Sequence, residues 1–417
     1  MQMKDPTSAQ HLALPRAEGS RFAGRFIDRM VLGLLSKRLE SACIGTLTVE
    51  LPSGHQATFG NGRQEFAPRL VLKHYAVFWK MALRGPLGFA ESFIAGAVAT
   101  DDLAGVFNFF VDNEQPLVKI SAEFIESGWV DRAYHRLRAN TRAGSKRNIA
   151  AHYDLGNAFY KLWLDESLTY SSAIFPTHFT TLEQAQKAKY GAVIDGLQLA
   201  PGHRVLEIGC GWGGFAEAAA KRGASVDGIT ISREQYDASC ARISAAGLAG
   251  HVDIRLQDYR DTVGQYDRIA SIEMIEAVGE ENWAQYFNVI ADRLKPGGIA
   301  VIQAITIRSD LYANYRRNPD FIQRYVFPGG MLPTDAAMQK HANAASLAFE
   351  PLQMFGASYA RTLSAWRENF HAAWPQIQQL GFDEPFKRLW DYYLVYCQIG
   401  FERGSVQVGH YRLTKPL

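Results

Sequence analysis

Val205-Leu-Glu-Ile-Gly-Cys-Gly-Trp-Gly-Gly214 is the stretch of sequence that decides the fold. Its first residues are mostly apolar and predict a buried β-strand. Three glycines follow in a Gly-x-Gly-x-Gly frame, at Gly209, Gly211 and Gly213, which suits a tight turn from the strand into a helix. Because the first N–H groups of a helix have no partner within it, such a turn favours a small nucleoside-bearing ligand.

The glycine frame differs from the one that dinucleotide folds usually show. Those folds carry Gly-x-Gly-x-x-Gly and an acidic residue about 20 positions later that holds a ribose. Here Glu207 precedes the first glycine, and the next candidate strand ends in Thr230 where an acid is expected. The pattern is similar to that of S-adenosylmethionine methyltransferases. Taken alone, the turn remains open to being structural or another nucleotide site.

Strands and helices alternate from about residue 145 onward. Candidate strands are residues 204–209, 226–230, 252–257, 268–273 and 299–307, with helices such as 233–245 and 283–294 between them. This alternation predicts an α/β fold with a doubly wound parallel sheet, whose ligand lies beyond the carboxyl ends of the strands. Gly209, Thr230, Asp258 and Glu276 all fall at such ends, so four motifs indicate one crevice.

The chain divides into four parts by pattern. Residues 1–20 mix proline with polar residues and are predicted to be disordered, and residues 21–131 carry an alternating hairpin and helical spacings that predict a small α+β domain. Residues 132–147 form a basic linker, which is either a solvated connector or a contact for anionic lipid headgroups. Residues 148–417 form the α/β domain.

Composition excludes several classes of protein. A net charge of +2 argues against a general nucleic-acid binder, and 47% apolar residues suffice for real cores. No apolar run reaches the roughly 18 residues that span a bilayer, and no signal-like segment follows Met1, so a cytoplasmic protein is expected. The four cysteines lie far apart and predict reduced thiols, with neither a metal site nor a disulfide frame.

Short motifs lie in order on both sides of the glycine turn. They are His152-Tyr-Asp-Leu-Gly-Asn157, Leu168-Thr-Tyr-Ser-Ser172, Gly228-Ile-Thr-Ile-Ser232, Leu256-Gln-Asp-Tyr-Arg-Asp261, Met274-Ile-Glu276, Tyr325-Val-Phe-Pro-Gly-Gly330, Leu332-Pro-Thr334 and Phe355-Gly-Ala-Ser-Tyr359. Over residues 145–410 this series resembles the cyclopropane fatty acid synthase family, which includes mycolic acid cyclopropane synthases and fatty acyl C-methyltransferases.

The resemblance implies a Rossmann-like methyltransferase sheet of seven mostly parallel strands, and S-adenosylmethionine as cofactor. It implies methylene transfer to the cis double bond of unsaturated acyl chains in membrane phospholipids, carried out by a peripheral protein at the inner face of the membrane. Residues 308–334 and 358–401 interrupt the alternation and would form a lid that builds the acyl channel. A homodimer is a further implication.

The resemblance also implies cofactor-binding residues. They are Tyr170, Ser171, Glu207, Gly209, Gly211, Gly213, Thr230, Ser232, Gln235, Asp258 and Tyr259. The first two would touch the methionine part, the glycines would pass close to the cofactor, the next three would lie near the ribose, and the last two would flank the adenine. Ser232 and Tyr259 are also open to being ordinary turn residues.

A base must complete the reaction, because alkene attack on a sulfonium methyl leaves a cation on the chain. Ring-forming relatives hold a bicarbonate with a Glu, a His, a Tyr and main-chain groups around a Cys and an Ile. Glu276, Tyr359 and Ile305 match this set, whereas Ser172 stands at the Cys position and Gln303 at the His position. Ser and Gln can both donate hydrogen bonds to an anion, but Gln does not titrate near neutral pH as His does. Bicarbonate is therefore one candidate base. The predicted base site is Glu276 with Tyr359.

Glu273 is a second departure from the ring-forming pattern. Two carboxylates three residues apart can raise one pKa and provide a protein base, or Glu273 can form a plain ion pair with a basic neighbour. Glu273, Ala277 and Gln303 together resemble the branch that adds mid-chain methyl or methylene groups. A fatty acyl C-methyltransferase is therefore the alternative, and a small-molecule methyltransferase and an inactive lipid-binding protein are further hypotheses.

Aromatic rings are candidates for stabilising the cation, although each of them singly also fits a hydrophobic core. They are Tyr153, Tyr160, Phe175 and Tyr359.

Overall fold

The computed structural model describes residues 28–33, 35–36, 44–60, 67–113 and 155–417. The predictions for residues 1–20, for the basic linker 132–147 and for Tyr153 lie outside these ranges. The chain forms two compact units, one made of Met1–Trp79 and Ala97–Phe124, the other of Lys80–Gly96 and Ile125–Leu417.

The smaller unit holds a four-stranded sheet in the order β2-β1-β3-β4. The predicted hairpin is present as β1 (Thr46–Glu50) and β2 (Gln56–Gly60), which pair antiparallel. Strand β3 (Arg69–Leu72) is parallel to β1, and β4 (Val98–Thr100) is antiparallel to β3. Helix α2 (Leu103–Asp112) is capped by the Asp102 carboxylate, which accepts the Gly105 N–H at 2.7 Å. The α+β class predicted for this unit is confirmed.

Helix α1 (Ala76–Ile94) breaks at Gly85, where φ is 53° ahead of Pro86. The helix from Lys80 onward belongs to the larger unit, whereas the sequence places all of it within the domain predicted over 21–131. The reason is packing, because Phe93 contacts the Tyr392 ring at 5.8 Å and the Ile94 carbonyl accepts a hydrogen bond from Arg388 Nε at 2.8 Å.

The larger unit is built on a seven-stranded sheet in the order β10-β11-β9-β8-β5-β6-β7. The strands are β5 (Arg204–Ile208), β6 (Ser225–Thr230), β7 (Val252–Leu256), β8 (Tyr266–Ile272), β9 (Leu294–Ile307), β10 (Ala348–Met354) and β11 (Val406–Thr414). Neighbours among β5 to β9 pair parallel, and β11 is antiparallel to both β9 and β10. The predicted doubly wound, mostly parallel α/β fold is confirmed.

Helices cover both faces of this sheet. They are α3 (Asn157–Lys161), α4 (Leu182–Gly196), α5 (Gly214–Ala220), α6 (Arg233–Ala245), α7 (Trp283–Arg293), α8 (Ser309–Arg317), α9 (Asp335–Ala344), α10 (Gly356–Ala372), α11 (Trp374–Gln379) and α12 (Glu384–Glu402). Trp283 and Phe287 of α7 fill a core on one face, and Val193 of α4, Phe215 of α5 and Ile243 of α6 fill a core on the other. In the described ranges no helix combines the length and the apolar character that crossing a membrane requires.

Candidate active site

The glycine turn joins β5 to α5 in a left-handed backbone conformation. The φ angles of Gly209, Gly211 and Gly213 are 81°, 52° and 81°, a region that side-chain-bearing residues rarely adopt. A Cβ atom on Gly211 would meet no atom within 4 Å, so the turn borders open space there. Gly213 is the N-cap of α5. The predicted strand, turn and helix are therefore all present.

Glu207 lies buried on β5, two residues ahead of the turn. Its carboxylate accepts the backbone N–H of Ala216 in the first turn of α5, and its Oε2 atom has no hydrogen-bond partner among the described residues. Burial raises the pKa of this carboxyl well above its usual value. Glu207 therefore ties strand to helix and leaves one polar atom at the carboxyl end of the sheet.

The polar residues after β6 form one hydrogen-bonded group. Thr230 Oγ1 donates to Gln235 Oε1 at 2.9 Å and accepts the Ser232 N–H at 3.2 Å. Ser232 Oγ accepts the Gln235 N–H at 3.3 Å, which makes Ser232 the N-cap of α6. The three predicted ribose contacts thus lie together, and Ser232 also has the structural role that the sequence left open.

The residues after β7 pair with each other in the same local way. Arg260 binds both carboxylate oxygens of Asp258, with Nε at 2.9 Å from Oδ1 and a terminal nitrogen at 2.6 Å from Oδ2. Tyr259 is buried, its hydroxyl has no partner among the described residues, and burial raises its pKa to about 12. Asp258 orients the turn, while the Tyr259 hydroxyl is a buried polar atom whose partner the described residues do not supply.

Tyr170 and Ser171 are held by Tyr393 and Lys189, which no sequence motif singled out as site residues. The Tyr170 and Tyr393 hydroxyls are hydrogen-bonded at 2.9 Å, and Ser171 Oγ accepts from Lys189 Nζ at 2.7 Å. Lys189 is fully buried, and burial lowers its pKa to about 7. A signal was present, because Lys189 lies at the i+4 and i−4 positions of the buried Ala185 and Val193 on α4.

The geometry of the site fits S-adenosylmethionine. Buried oxygens without a partner among the described residues lie along the carboxyl ends of the strands, at Glu207, Tyr259 and Glu276, and the open face of Gly211 is nearby on the same edge. These polar atoms and this turn suit a ligand that carries ammonium, hydroxyl and purine groups. Within the described ranges, no three His, Cys, Asp or Glu side chains are grouped to hold a metal ion.

Glu273 accepts hydrogen bonds from three of the groups that the resemblance places around a bicarbonate. Its Oε1 atom accepts the Ser172 N–H at 2.8 Å and Gln303 Nε2 at 2.7 Å, and its Oε2 atom accepts the Tyr359 hydroxyl at 2.8 Å. These donors are neutral, so in the described part of the chain Glu273 does not form the plain ion pair that the sequence also allowed. Ser172 contributes its main chain, because its hydroxyl donates to the Ala173 carbonyl at 3.0 Å.

Glu276 lies beside Glu273 and is bonded differently. Its Oε1 atom accepts the Ile305 N–H at 2.5 Å, and its Oε2 atom is buried with no partner in the described structure. Burial and the neighbouring Glu273 raise the pKa of Glu276 to about 8. Burial also raises the pKa of Glu273, but the Ser172 N–H and the other donors oppose that shift. Of the two carboxyls, Glu276 therefore holds a proton more readily, whereas the donors on Glu273 stabilise its ionised form.

The three aromatic candidates in the described ranges all have ring or cation partners in the structure. The Phe175 ring has the Arg361 guanidinium 4.0 Å above its centre, so one face of that ring already holds a cation. Tyr359 stacks on Phe401 with ring centres 4.4 Å apart. Tyr160 is buried against Tyr170 and Trp212, beside the glycine turn.

Fold and site together define an S-adenosylmethionine-dependent methyltransferase. Comparison with known proteins identifies the family: the model of the mycolic acid cyclopropane synthetase family matches residues 140–411, and the chain belongs to that family.

Similar proteins have related activities. The chain is 37% identical to tuberculostearic acid methyltransferase UfaA1 of Mycobacterium tuberculosis, with 84% of each chain covered. It is 36% identical to the cyclopropane-fatty-acyl-phospholipid synthase of Escherichia coli, with 79% of this chain and 84% of that protein covered. The crystal structure of mycolic acid cyclopropane synthase CmaA1 complexed with SAH and CTAB has a TM-score of 0.61 and 30% identity, covering 65% of this chain and 98% of that one.

Proposed function

We propose that this methyltransferase adds a one-carbon unit to the cis double bond of unsaturated acyl chains in membrane phospholipids, with the Glu273 carboxylate as the base. The observation that carries the proposal is the set of three neutral donors on Glu273, beside a carboxyl whose pKa is raised to about 8. A buried carboxylate held by three donors has a fixed position, and these donors stabilise its ionised form.

Bound S-adenosylmethionine supplies an electrophilic methyl group. Attack by the π electrons of the alkene would take up that methyl group, with S-adenosylhomocysteine as the leaving group, and would leave a cation on the acyl chain. Glu273 then removes a proton from that cation. Because its Oε1 atom is held by two N–H donors, the proton goes to Oε2, which faces the Tyr359 hydroxyl. The buried position of the site excludes the water that would trap the cation.

Glu273 takes the place of a bicarbonate in this proposal. Gln303, Tyr359 and the Ser172 main chain stand at the positions of that ion's ligands in ring-forming relatives, and all three donate to the Glu273 carboxylate. The enzyme would therefore turn over at an unchanged rate when dissolved carbonate is removed. Glu276, protonated beside it, would keep the pair at a single negative charge.

Two products fit this chemistry. Loss of a proton from the transferred methyl closes a cyclopropane ring, which is the first candidate and the product named for the relative from E. coli. A 1,2-hydride shift that moves the cation to the methyl-bearing carbon, followed by loss of a proton from the methyl, gives a methylene branch. Loss of a proton from a neighbouring chain carbon instead gives a methyl branch on an alkene. Glu273, absent from the ring-forming pattern, and the likeness to tuberculostearic acid methyltransferase UfaA1 favour this second candidate.

The acyl chain would be covered by the helices that follow β9. Helices α10 and α12 pack together and bring Tyr359 and Tyr393 to the site, which supports the proposed lid over 308–334 and 358–401. We place the enzyme at the inner face of the membrane as a peripheral protein, with the basic linker 132–147 against anionic headgroups, and as a homodimer.

The test is expression in a bacterial host that lacks its own synthase, followed by mass spectrometry of derivatised membrane fatty acids with fragmentation. Both products gain one CH₂, and fragmentation after derivatisation separates them. A ring supports the first candidate, and a methylene or methyl branch supports the second. The host lipids could remain unchanged even though the protein purified from that host binds S-adenosylmethionine in calorimetry. That result would overturn the proposed substrate.

A further inference from the structure

A line of polar side chains crosses the sheet from its edge to Glu273. Gln353 of β10 pairs in register with His410 of β11, and His410 pairs with Gln303 of β9. Their side chains are hydrogen-bonded in the same order, with Gln353 Nε2 at 3.1 Å from His410 Nδ1 and His410 Nε2 at 2.9 Å from Gln303 Oε1. Gln303 Nε2 then donates to Glu273 at 2.7 Å. The line starts at the exposed Gln353 and ends at the base.

The Glu273 carboxylate, at the inner end of this line, fixes the orientation of the other side chains. Glu273 Oε1 accepts two N–H donors, so Gln303 must present its NH₂ group to it. Gln303 Oε1 is then turned toward His410, which must donate from Nε2–H. A neutral imidazole with hydrogen on Nε2 has an acceptor at Nδ1, which Gln353 Nε2 satisfies.

His410 has the properties of a fixed donor. It is fully buried, it packs edge-on against the Phe355 ring at 4.9 Å, and burial lowers its pKa to about 3. The imidazole is therefore neutral near neutral pH, with a constant tautomer. A glutamine amide has two nearly isosteric orientations, and the wrong one would aim an oxygen at the buried Glu273 carboxylate.

We propose that His410 is a positioning residue, which through its cross-strand hydrogen bond holds the Gln303 amide with its NH₂ group toward Glu273. This inference rests on the proposed role of Glu273. His410 acts through Gln303 and touches neither the cofactor nor the acyl chain. Gln353, at the exposed end, selects the tautomer of His410.

A double-mutant cycle tests the proposal in the full-length protein with oleoyl phospholipid vesicles as substrate. His410→Leu should lower kcat about tenfold and leave KM for S-adenosylmethionine within about twofold, since only the base is misplaced. In a Gln303→Met background the same substitution should change kcat less than twofold, because the amide that His410 orients is gone. His410→Gln, which can still donate to Gln303 Oε1, should restore most of kcat.

The Glu350 and Arg412 pair provides a control. It joins β10 to β11, the strands of Gln353 and His410, at the surface with a hydrogen bond of 3.1 Å. Glu350→Gln should leave kcat unchanged. Equal losses from His410→Leu in both backgrounds, or no rescue by His410→Gln in a folded protein, would overturn the positioning role.

A readout independent of turnover is the tautomer itself. Long-range ¹H–¹⁵N correlation spectra of ¹⁵N-histidine-labelled protein, with the His410 signal assigned by its loss in His410→Gln, should show hydrogen on Nε2. Hydrogen on Nδ1, or a signal that titrates near pH 6.5, would overturn the inference even if every variant is active. An Nε2–H tautomer in a protein that makes no lipid product would instead contradict only the proposed function.

Discussion

The cofactor half and the base half of the crevice are assembled in different ways. Around the cofactor strands the hydrogen bonds are local, such as Thr230 to Gln235 and Asp258 to Arg260, which are five and two residues apart. Around Glu273 they join residues 101, 86 and 30 positions apart, to Ser172, Tyr359 and Gln303. The turns after β6 and β7 therefore form with their own local hydrogen bonds, whereas the base half exists only once the sheet and the lid helices are in place.

The largest effect is expected from a substitution in the base half. Glu273→Gln removes the charge that the three donors stabilise, and we expect kcat to fall about 10³-fold, within the usual range for loss of a general base. Glu276→Gln mimics the protonated carboxyl and keeps an acceptor for the Ile305 N–H, so its loss should stay below about tenfold. Single-turnover assays with oleoyl phospholipid vesicles compare the two variants.

These two variants also distinguish the two candidate bases. Binding of S-adenosylmethionine, measured by calorimetry, should remain within about threefold of the wild type in both of them. A larger loss of kcat in Glu276→Gln than in Glu273→Gln would assign the base to Glu276, as the sequence alone predicts.

An intermediate effect is expected at Lys189, which connects the halves. Its Nζ donates to Ser171, and its charge lowers the pKa of Glu273 against the larger effect of burial. Lys189→Met should weaken binding of S-adenosylmethionine about tenfold, since Ser171 loses its buried donor. Without the ammonium the pKa of Glu273 rises, and because the base must be ionised, the acidic limb of kcat should move to higher pH.

The pH profile of kcat and calorimetric titration together check this prediction. A conservative comparison is Lys187→Met, which removes an exposed lysine two residues away on the same helix. An unshifted acidic limb in a folded Lys189→Met protein would show that this ammonium does not act on the base.

The same contrast explains how much of the fold and of the site could be predicted from the sequence. The glycine turn was predictable because three left-handed positions require glycine, and the Thr230, Ser232 and Gln235 group because capping follows a short local pattern. Strand β10 was missed because it is an edge strand with little buried apolar alternation.

The connections of the base half depend on strand order, which no local pattern reveals. Glu273 adopts φ of 49°, uncommon for a residue with a side chain, at the end of β8, and this turn brings its carboxylate to the Ser172, Gln303 and Tyr359 donors. His410 meets Gln303 only through the antiparallel pairing of β11 with β9. The sequence could therefore name Glu273, Gln303 and Tyr359, but not that they bind one another.

The smallest expected effect lies in the cofactor half, at the cap of α6. Ser232→Ala removes the acceptor for the Gln235 N–H and should lower the free energy of unfolding by about 1 kcal/mol. Because the Ser232 N–H still reaches Thr230, the group stays assembled, and affinity for S-adenosylmethionine should fall no more than about fivefold, with kcat unchanged. Urea unfolding and calorimetry measure the two effects. A loss of kcat comparable to that of Glu273→Gln would show that the two halves are coupled, and that the local hydrogen bonds of this edge help to place the base.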